Sequence, residues 1–402
     1  MECIDNKGAL RVLDVVQFYS PTSGGVKSYI HDKMTFLGGE PDVHHAVIAP
    51  GAATRRYREG QTVFYRIKSP GLPASEHYRV LTARGRLFGI ALAEQPDVIE
   101  VGNPYWSAWM ALSAGRRLDV PVVSFYHSDF PRALGRPIGR VMKPLGSLWF
   151  KEVGRYLAAL YNRMDATLVA TARFEKILED MGVERIVRVP LGTDTTVFTP
   201  RDYRRQLLDE LNLSEDTFLI LYVGRIAREK NVDQLPDMMK FLPGEKGPWH
   251  LLVVGDGDYR DTIEKHAREN RNVTLWPYVA DRERLAEIYS AADLFINSSL
   301  IETFGLVAVE AQACGTRVLG VQGGGMEEAM APEEPFVIAK SHKAPDLARA
   351  VEQVRDIGDD KQKQEIRRQY IEEHFSMRTN FTRLKALYRH LADGKPAGDF
   401  SG

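Results

Sequence analysis

Two series of short apolar, β-branched runs dominate the sequence, and stretches with helical periodicity lie between them. The runs fall at residues 10–18, 46–49, 63–67, 98–101, 120–126, 166–170 and 186–189, then at 218–223, 251–254, 273–275, 294–297 and 317–321. A continuous apolar run bounded by Gly, Pro or Asn is typical of a strand buried on both faces. Strands that alternate with helices predict right-handed βαβ units, parallel sheets and an α/β fold.

A polar stretch beginning at Thr199-Pro200 separates the two series. Proline-led polar segments are common between domains. We therefore predict two doubly wound α/β domains, at about 1–198 and 199–375. Apolar residues at helical spacing predict a final amphipathic helix over 377–392, whose apolar side must pack against a domain.

Charge and cysteine content exclude several classes of protein. The 402 residues include 53 Lys and Arg against 54 Asp and Glu, so the chain is not a strongly basic nucleic-acid binder. Two cysteines, Cys3 and Cys314, make neither a disulfide framework nor a zinc site. The first residues lack a signal-peptide pattern, and no run of 18 apolar residues occurs. We expect a cytoplasmic protein, either free or peripheral on the inner face of the membrane.

The loop after the first strand contains Gly24-Gly25 at the start of a helical pattern. Ligands of open parallel sheets bind beyond the carboxyl ends of the strands. Glycines there allow close backbone approach, and the free helix amides attract anions. A tight strand–helix turn would use the same residues.

The loop after 218–223 carries Gly224, Arg225 and Lys230. Arginine offers a planar fork of donors and lysine a point charge, which together suit a diphosphate. A solvated basic loop is the alternative.

A third loop, Gly255-Asp256-Gly257-Asp258, follows the run 251–254. A dinucleotide pattern is disfavoured because Arg260 stands where its third glycine would fall. We interpret the loop as a glycine-rich turn that lines the ligand site, with a metal bound to Asp256 and Asp258 as the lesser alternative.

Glu302 and Glu310 flank an apolar stretch, and 305–313 is predicted to be a helix. At 3.6 residues per turn the two carboxylates lie within about 80° of one face. Carboxylates in apolar surroundings need partners. Sugar hydroxyls or a salt bridge would both provide them.

His127 and Asp129 follow the run 120–126. The histidine could titrate near neutrality or donate a hydrogen bond to a ligand, although a lone histidine is often structural. A nucleophile elbow does not accompany the pair.

The segment 131–163 has seven basic residues against Glu152, a net charge of +6. The basic residues are Arg132, Arg136, Arg140, Lys143, Lys151, Arg155 and Arg163. They are interleaved with Leu148-Trp149-Phe150, and basic plus bulky apolar residues favour an anionic membrane surface. The alternative, which the pattern by itself slightly favours, is an ordinary basic surface with a few aromatic residues buried in the core.

Taken in order, these motifs resemble those of the family-four retaining glycosyltransferases of the GT-B fold. The most specific is the E-x7-E block at 298–316. Matches also occur at Gly24-Gly25, at 224–230, at 255–257 and at 191–200. The resemblance implies two Rossmann-like domains that face a cleft, an acceptor domain at 1–198 and a donor domain at 199–375. It also implies that a helix at 376–393 returns to the first domain.

The resemblance also implies roles for individual residues. Arg225 and Lys230 would bind the donor diphosphate, Glu310 the ribose, and Glu302 the sugar. The remaining expected donor contacts are Gly24, Gly25, Gly224, Gly255, Phe304, Gly305 and Leu306, with Tyr278 and Val279 near the base. His127 would contact the transferred sugar, and Asp129 and Arg132 are acceptor-side candidates. Asp258 departs from the family, which often has Pro there.

The implied reaction moves a hexose, of the glucose or mannose type, from a UDP-, GDP- or ADP-sugar to an acceptor hydroxyl with retention. We expect no metal or other cofactor, because Arg225 and Lys230 would stabilise the leaving diphosphate as a metal does elsewhere. No nucleic-acid partner is expected. The stretch 124–131 resembles branches that glycosylate lipids, so the acceptor is a lipid, a glycan or a small molecule. The competing functions are an epimerase or hydrolase of nucleotide sugars, a phosphorylase, and a non-catalytic carbohydrate or nucleotide binder.

Overall fold

The computed structural model describes residues 8–17, 19, 25–72, 75–127, 130, 143–300, 302–332 and 337–401. The chain divides into two compact units. The first runs to Pro190 and resumes at Asn380, and the second is Leu191–Thr379.

The first unit is built on an eight-stranded sheet in the order β10-β9-β8-β7-β1-β2-β4-β3. Its strands are β1 Leu10–Val15, β2 Val43–Gly51, β3 Arg55–Glu59, β4 Thr62–Lys68, β7 Val98–Val101, β8 Val122–Phe125, β9 Ala166–Val169 and β10 Ile186–Arg188. A separate hairpin is formed by β5 Gly71–Leu72 and β6 Ser75–Arg79. Neighbouring strands are parallel except β3 and β4, which are antiparallel.

Helices connect the strands of the first unit. They are α1 Gly25–Gly38, α2 Arg84–Glu94, α3 Trp106–Leu118, α4 Lys143–Tyr161 and α5 Ala172–Asp180. The last long helix, α13 Met377–Ala392, belongs to this unit from Asn380 onward. It buries Phe381, Leu384, Leu387, Tyr388 and Leu391, the apolar positions of the sequence pattern.

The second unit has a six-stranded, fully parallel sheet in the order β13-β12-β11-β14-β15-β16. Its strands are β11 Phe218–Val223, β12 Trp249–Val254, β13 Val273–Trp276, β14 Leu294–Ile296, β15 Val318–Val321 and β16 Ile338–Ala339. Its helices are α6 Arg204–Glu210, α7 Gln234–Met238, α8 Arg260–Glu269, α9 Arg282–Ala291, α10 Leu306–Ala313, α11 Ala344–Ile357 and α12 Lys361–His374.

The predicted fold class of two parallel-sheet α/β domains is confirmed. The first boundary lies earlier than the predicted 198. Residues 191–198 pack within the second unit because the Thr193 amide donates to the Phe375 carbonyl at 2.9 Å. A Cβ on Gly192 would lie 2.6 Å from the same carbonyl oxygen, and Phe198 packs on Tyr289.

A network of buried charged and polar groups lies between the sheet and the helices of the first unit. Asp14 on β1 and Glu100 on β7 stand in register, and Lys33 of α1 contacts both, at 2.6 and 3.2 Å. The Lys33 ammonium also donates to the Tyr388 hydroxyl of α13 at 2.7 Å. These side chains are at most 2% exposed. The last helix is therefore attached to the sheet by a charged centre as well as by apolar packing.

Each carboxylate of this network has further partners. His45 contacts Asp14 at 2.8 Å, and the Tyr29 hydroxyl donates to Glu100 at 3.0 Å. Although burial opposes ionisation, the Lys33 charge and the His45 hydrogen bond keep the pKa of Asp14 below its usual value. Burial instead raises the pKa of Glu100. A buried charge is tolerated only when it is paired and hydrogen-bonded, which is the case here.

We predict that Lys33→Met lowers the free energy of unfolding of the first unit by about 3–5 kcal/mol, because it leaves two buried carboxylates without their cation. The exposed Lys176→Met is the matched control and should leave the melting temperature unchanged. Urea unfolding combined with hydrogen exchange of β1, β2 and β7 measures the effect. Equal protection of these strands in both variants would contradict a stabilising role for the network.

Candidate active site

The candidate site lies at the carboxyl edge of the sheet in the second unit, where β11, β12, β13 and β14 end. All strands of this sheet are parallel, so the loops that follow them emerge at the same edge. The loops at 224–231, 255–259, 277–281 and 297–305 carry the donor-binding residues that the sequence predicted in this half of the chain, apart from Leu306 and Glu310 of α10.

Two of these loops are hydrogen-bonded to each other through the backbone. The Ile226 amide donates to the Asp256 carbonyl at 2.8 Å, and the Tyr259 amide donates to the Ile226 carbonyl at 3.0 Å. A Cβ on Gly257 would lie 2.5 Å from the Ile226 carbonyl oxygen, and a Cβ on Gly255 would overlap the Gly224 carbonyl. The glycines are therefore required by close backbone approach, in the lining role that the sequence predicted for this turn.

Lys230 and Glu302 meet at this edge. The Lys230 ammonium donates to the Glu302 carboxylate at 2.6 Å, and the two side chains are 22% and 16% exposed. Lys230 ends a single turn of 3-10 helix, and its carbonyl accepts a hydrogen bond from the Ser298 hydroxyl at 2.8 Å. Asn231 then adopts the left-handed conformation, and its side-chain amide donates to the Ser298 carbonyl at 3.0 Å. The lysine is thus held by the loop that precedes Glu302.

Arg225 is the more exposed of the two cations assigned to the diphosphate. Its guanidinium pairs with Glu229 and remains 57% exposed. Its carbonyl accepts a hydrogen bond from the buried Tyr222 hydroxyl at 3.0 Å. Burial, reinforced by the Glu302 charge, raises the pKa of Tyr222 well above its usual range, so this hydroxyl stays a donor. The backbone is fixed while the guanidinium can leave an exposed ion pair at little cost.

The E-x7-E block forms a loop followed by a helix, as predicted, with α10 starting at Leu306. Gly305 caps the helix in the left-handed conformation (φ 90°), and a Cβ there would lie 2.7 Å from Cγ of Met326. Phe304 is buried against Phe375, with ring centroids 5.4 Å apart. The Glu302 amide donates to the Gly324 carbonyl at 3.0 Å, which fixes the start of the loop.

Glu310 lies within the helix and has a different partner from Glu302. Its carboxylate accepts a hydrogen bond from the Tyr289 hydroxyl at 3.0 Å. Burial and the Glu310 charge raise the pKa of Tyr289 well above its usual range. The alternative of a salt bridge therefore describes Glu302, which pairs with Lys230, whereas a tyrosine hydroxyl binds Glu310.

Tyr278 and Val279 follow β13 at the same edge. Tyr278 is 62% exposed, and Val279 is half-buried. The described residues include no group of three His, Cys, Asp or Glu side chains that could hold a metal. Asp256 instead accepts a hydrogen bond from the Gly257 amide at 2.8 Å and is 68% exposed.

His127 lies in the first unit, just after β8. Its ring stacks on Phe125, with centroids 4.4 Å apart, and contacts Tyr29 at 4.7 Å. Burial and the nearby Lys33 charge lower the pKa of His127 to about 3. This lowered pKa favours the second of the two predicted roles, a hydrogen bond from the neutral imidazole.

Of the other site residues predicted in the first unit, the structure describes only Gly25. Gly25 begins α1. Gly24, Asp129 and Arg132 lie outside the described residues, as do Arg136 and Arg140 of the basic segment.

Sequence reasoning missed Tyr222, Tyr289 and Ser298, which hold Arg225, Glu310 and Lys230. Tyr222 lies inside an apolar strand run and Tyr289 inside a helix. Neither position carries a local signal of its role. The Tyr289 and Ser298 contacts depend on which elements become neighbours, whereas Tyr222 binds a carbonyl only three residues further along the chain.

Comparison with known proteins agrees with this geometry. Residues 23–197 match Glycosyltransferase Family 4, and residues 204–374 match Glycosyl transferases group 1. A GDP-mannose-dependent alpha-(1-6)-phosphatidylinositol dimannoside mannosyltransferase of Mycobacterium tuberculosis is 29% identical over 314 residues, 76% of this chain and 78% of that protein. Sulfoquinovosyl transferase SQD2 of Arabidopsis thaliana is 27% identical over 277 residues, 68% of this chain but only 52% of that protein.

The fold matches a solved structure as well. Anabaena Alr3699/HepE in complex with UDP-glucose superposes with a TM-score of 0.70 at 16% identity, over 94% of this chain and 98% of that one. Two α/β units, the motif-bearing edge and these matches define an enzyme class, the glycosyltransferases of the GT-B fold. The chain belongs to glycosyltransferase family 4 within that class.

We predict that Gly255→Ala destabilises the second unit by at least about 2 kcal/mol, because the new Cβ overlaps a carbonyl and the backbone (φ 155°) disfavours alanine. Gly244→Ala is the control, since nothing lies within 4 Å of its Cβ position. Thermal unfolding compares the two. A melting temperature equal to the wild type in Gly255→Ala would show that the two loops are not locked together.

Proposed function

We propose that the protein is a retaining glycosyltransferase that moves a hexose, of the glucose or mannose type, from a nucleoside-diphosphate sugar to an acceptor hydroxyl. The observation that carries the proposal is the meeting of Lys230 and Glu302 at 2.6 Å, beside Arg225, at the carboxyl edge of the second sheet. A cation for phosphate and an acceptor for hydroxyls are thus adjacent, which a nucleotide sugar requires.

The two cations assigned to the diphosphate are paired with glutamates before the donor arrives. Arg225 pairs with Glu229 and Lys230 pairs with Glu302, so the four residues have no net charge. An incoming diphosphate competes for both cations. The exposed Arg225 pair is weak and opens first. Lys230 then shares its donors between phosphate and Glu302, and Glu302 is left with lone pairs for sugar hydroxyls.

The reaction follows from where charge develops. Breaking the sugar–phosphate bond places negative charge on the leaving nucleoside diphosphate, and Arg225 and Lys230 stabilise it. We propose that they do so without a metal, whose usual task is the same. The acceptor attacks from the face that the phosphate leaves, and the phosphate takes the acceptor's proton. The neutral imidazole of His127 supplies a hydrogen bond without placing a cation near the developing positive charge of the sugar.

The donor base is uracil, guanine or adenine. The relatives support a nucleotide-sugar donor, because one is named as GDP-mannose-dependent and the solved structure holds UDP-glucose. Tyr278 and Val279 are the residues that we assign to the base. Thermal-shift screening with UDP, GDP and ADP identifies it, because a nucleotide at 100 times its Kd stabilises the protein by about 2.7 kcal/mol.

We predict that Glu302→Gln and Glu310→Gln affect different steps. Glu302→Gln should lower kcat about 100-fold and leave the nucleoside diphosphate Kd unchanged or smaller, because it removes a sugar contact and frees Lys230. Glu310→Gln should raise that Kd about tenfold, because it removes a ribose contact. Transfer from the identified nucleotide sugar is measured with EDTA present, and the Kd by calorimetry.

The exposed Glu269→Gln is the matched control and should behave as wild type. Equal loss of nucleotide affinity in both site variants would refute the assignment of the two glutamates. Hydrolysis of the donor that no acceptor suppresses would indicate a hydrolase, and complete dependence on added manganese would refute the metal-free reaction.

We further propose that the acceptor is a lipid or lipid-linked sugar reached by docking on an anionic membrane. No helix of the described residues is long and apolar enough to cross a bilayer. The docking surface is on α4, where Trp149 is 37% exposed, Phe150 41% and Tyr156 40%. The alternative that Trp149 and Phe150 are core residues is therefore wrong.

A second helix contributes to this docking surface. The Trp109 indole of α3 donates to the Tyr156 hydroxyl at 3.1 Å, and Trp106, one turn earlier, is 54% exposed. Lys151 and Arg155 are exposed on α4. Aromatic side chains beside cations suit the interface of an anionic bilayer. The phosphatidylinositol dimannoside in the name of one relative supports a lipid acceptor.

We predict that the protein floats with phosphatidylglycerol vesicles at low salt but not with neutral vesicles, since each engaged cation contributes about 1 kcal/mol. Trp149→Ser with Phe150→Ser should abolish flotation and leave nucleotide binding intact. A double change on α2, Leu92→Ser with Phe88→Ser, is the control for general loss of apolar surface. Wild-type protein that stays at the bottom of the gradient with every lipid would end the membrane proposal.

A further inference from the structure

The edge strand β3 and the neighbouring strand β4 contain many basic residues and few acidic ones. Residues 51–68 contain Arg55, Arg56, Arg58, Arg66 and Lys68 against a single acid, Glu59. Glu59 lies 3.5 Å from His31. The first three arginines are exposed, and none of the four makes an ion pair within the described part of the chain. This edge of the first unit is therefore strongly electropositive.

Two of the arginines face each other across the strands. Arg55 on β3 is the direct antiparallel partner of Arg66 on β4. Like charges in this position destabilise a strand pair. Such a pair is stabilised when an anion lies between the two guanidinium groups.

The guanidinium group of Arg66 is held in place before any ligand arrives. Arg66 stacks over Tyr19 at 4.3 Å and over Phe64 at 5.0 Å, and it donates to the Pro50 carbonyl at 3.1 Å. This bond uses one donor of a fork that has five, so Arg66 keeps donors for a ligand. Pre-ordered side chains lose less conformational entropy on binding.

An aromatic wall completes the groove. Tyr57 lies nearly flat on Phe64, with ring centroids 5.2 Å apart and an interplanar angle of 14°, and it stays 37% exposed. Arg55, Arg56, Tyr57 and Arg66 line an open groove of about 600 Å³. That volume lies within the range of small-ligand sites. Strand alternation places Arg56 and its partner Tyr65 on the opposite face from Arg55, Tyr57 and Arg66. The groove thus offers two cations, Arg55 and Arg66, and one flat apolar surface.

We propose that this groove binds a phosphate ester. The arginine forks fit phosphate oxygens in a bidentate manner, and the two cations Arg55 and Arg66 match a group that carries up to two negative charges. Tyr57 packs against the organic part of the ester. The groove is formed by residues of the first unit. Its ligand is either a free phosphate ester or the head group of a phospholipid.

The test compares Arg55→Gln/Arg66→Gln with a matched control, Arg116→Gln/Arg117→Gln, which removes the same charge from exposed positions of α3. Calorimetry uses glycerol 3-phosphate as the free ester, and sedimentation uses phosphatidylglycerol vesicles. We expect the first pair to weaken binding of one of these probes at least tenfold and the control to leave it within twofold. Loss with glycerol 3-phosphate alone identifies a free ester, and loss with vesicles alone identifies a head group.

Two further variants test whether a loss of binding comes from unfolding and whether Tyr57 contacts the organic part of the ester. Arg55→Gln alone changes only an exposed side chain, so a weaker phosphate interaction in that folded variant cannot come from unfolding. Tyr57→Ala should weaken binding of the ester about fivefold and leave inorganic phosphate unaffected. The proposal is overturned if neither probe binds saturably, or if both bind the arginine variants as they bind the wild type. The arginines would then serve only to block strand addition at an exposed edge.

Discussion

Parallel pairing of buried strands is the constraint on which the candidate active site depends. Because every strand of the second sheet runs the same way, the loops after β11, β12 and β14 must emerge together. Close backbone contacts at Gly224, Gly255 and Gly257 then fix the backbone of the loops that follow β11 and β12. Lys230 and Glu302, 72 residues apart in the chain, come within hydrogen-bonding distance as a consequence.

The two proposed sites differ in whether their cations form ion pairs with acidic residues. At the donor edge, Arg225 and Lys230 are each paired with a glutamate, so these two pairs are neutral until a diphosphate competes for their cations. The arginines of β3 have no such partners in the described structure. A paired cation favours an exchange of partners during a reaction, whereas unpaired arginines favour simple retention of an anion. Because of this difference in charge pairing, we assign catalytic turnover to the donor edge of the second unit. We assign ligand binding without reaction to the β3 groove of the first unit.

The buried charges of the first unit show how a terminal helix becomes part of a distant sheet. Tyr388 reaches Lys33 and Glu100, so α13 contributes to the same centre as β1 and β7. In a low-dielectric interior this arrangement is strong only while it is complete. The same centre acts on His127, because the Lys33 charge adds to burial in keeping the imidazole neutral. Packing of the last helix and the protonation of a candidate site residue are therefore linked through one ammonium group.

Local patterns in the sequence were sufficient for much of this description. Apolar runs located most of the parallel strands, the E-x7-E spacing located α10 to within one residue, and glycines identified the loops that approach each other closely. The arginine-rich β3 was missed because an edge strand needs no apolar run. The boundary near 191 was missed because Gly192 and Thr193 are held by residues near 375.

Only the tertiary structure decided the partners of the site residues. The Tyr289 bond to Glu310, the Ser298 bond to Lys230 and the Lys33 centre join residues that are far apart in the chain. The sequence by itself determined the fold class, the order of the strands along the chain and the chemical types available at each loop, because these follow from periodicity and backbone freedom over a few residues. Which charges neutralise each other, and which groups remain available for a ligand, was decided by long-range packing.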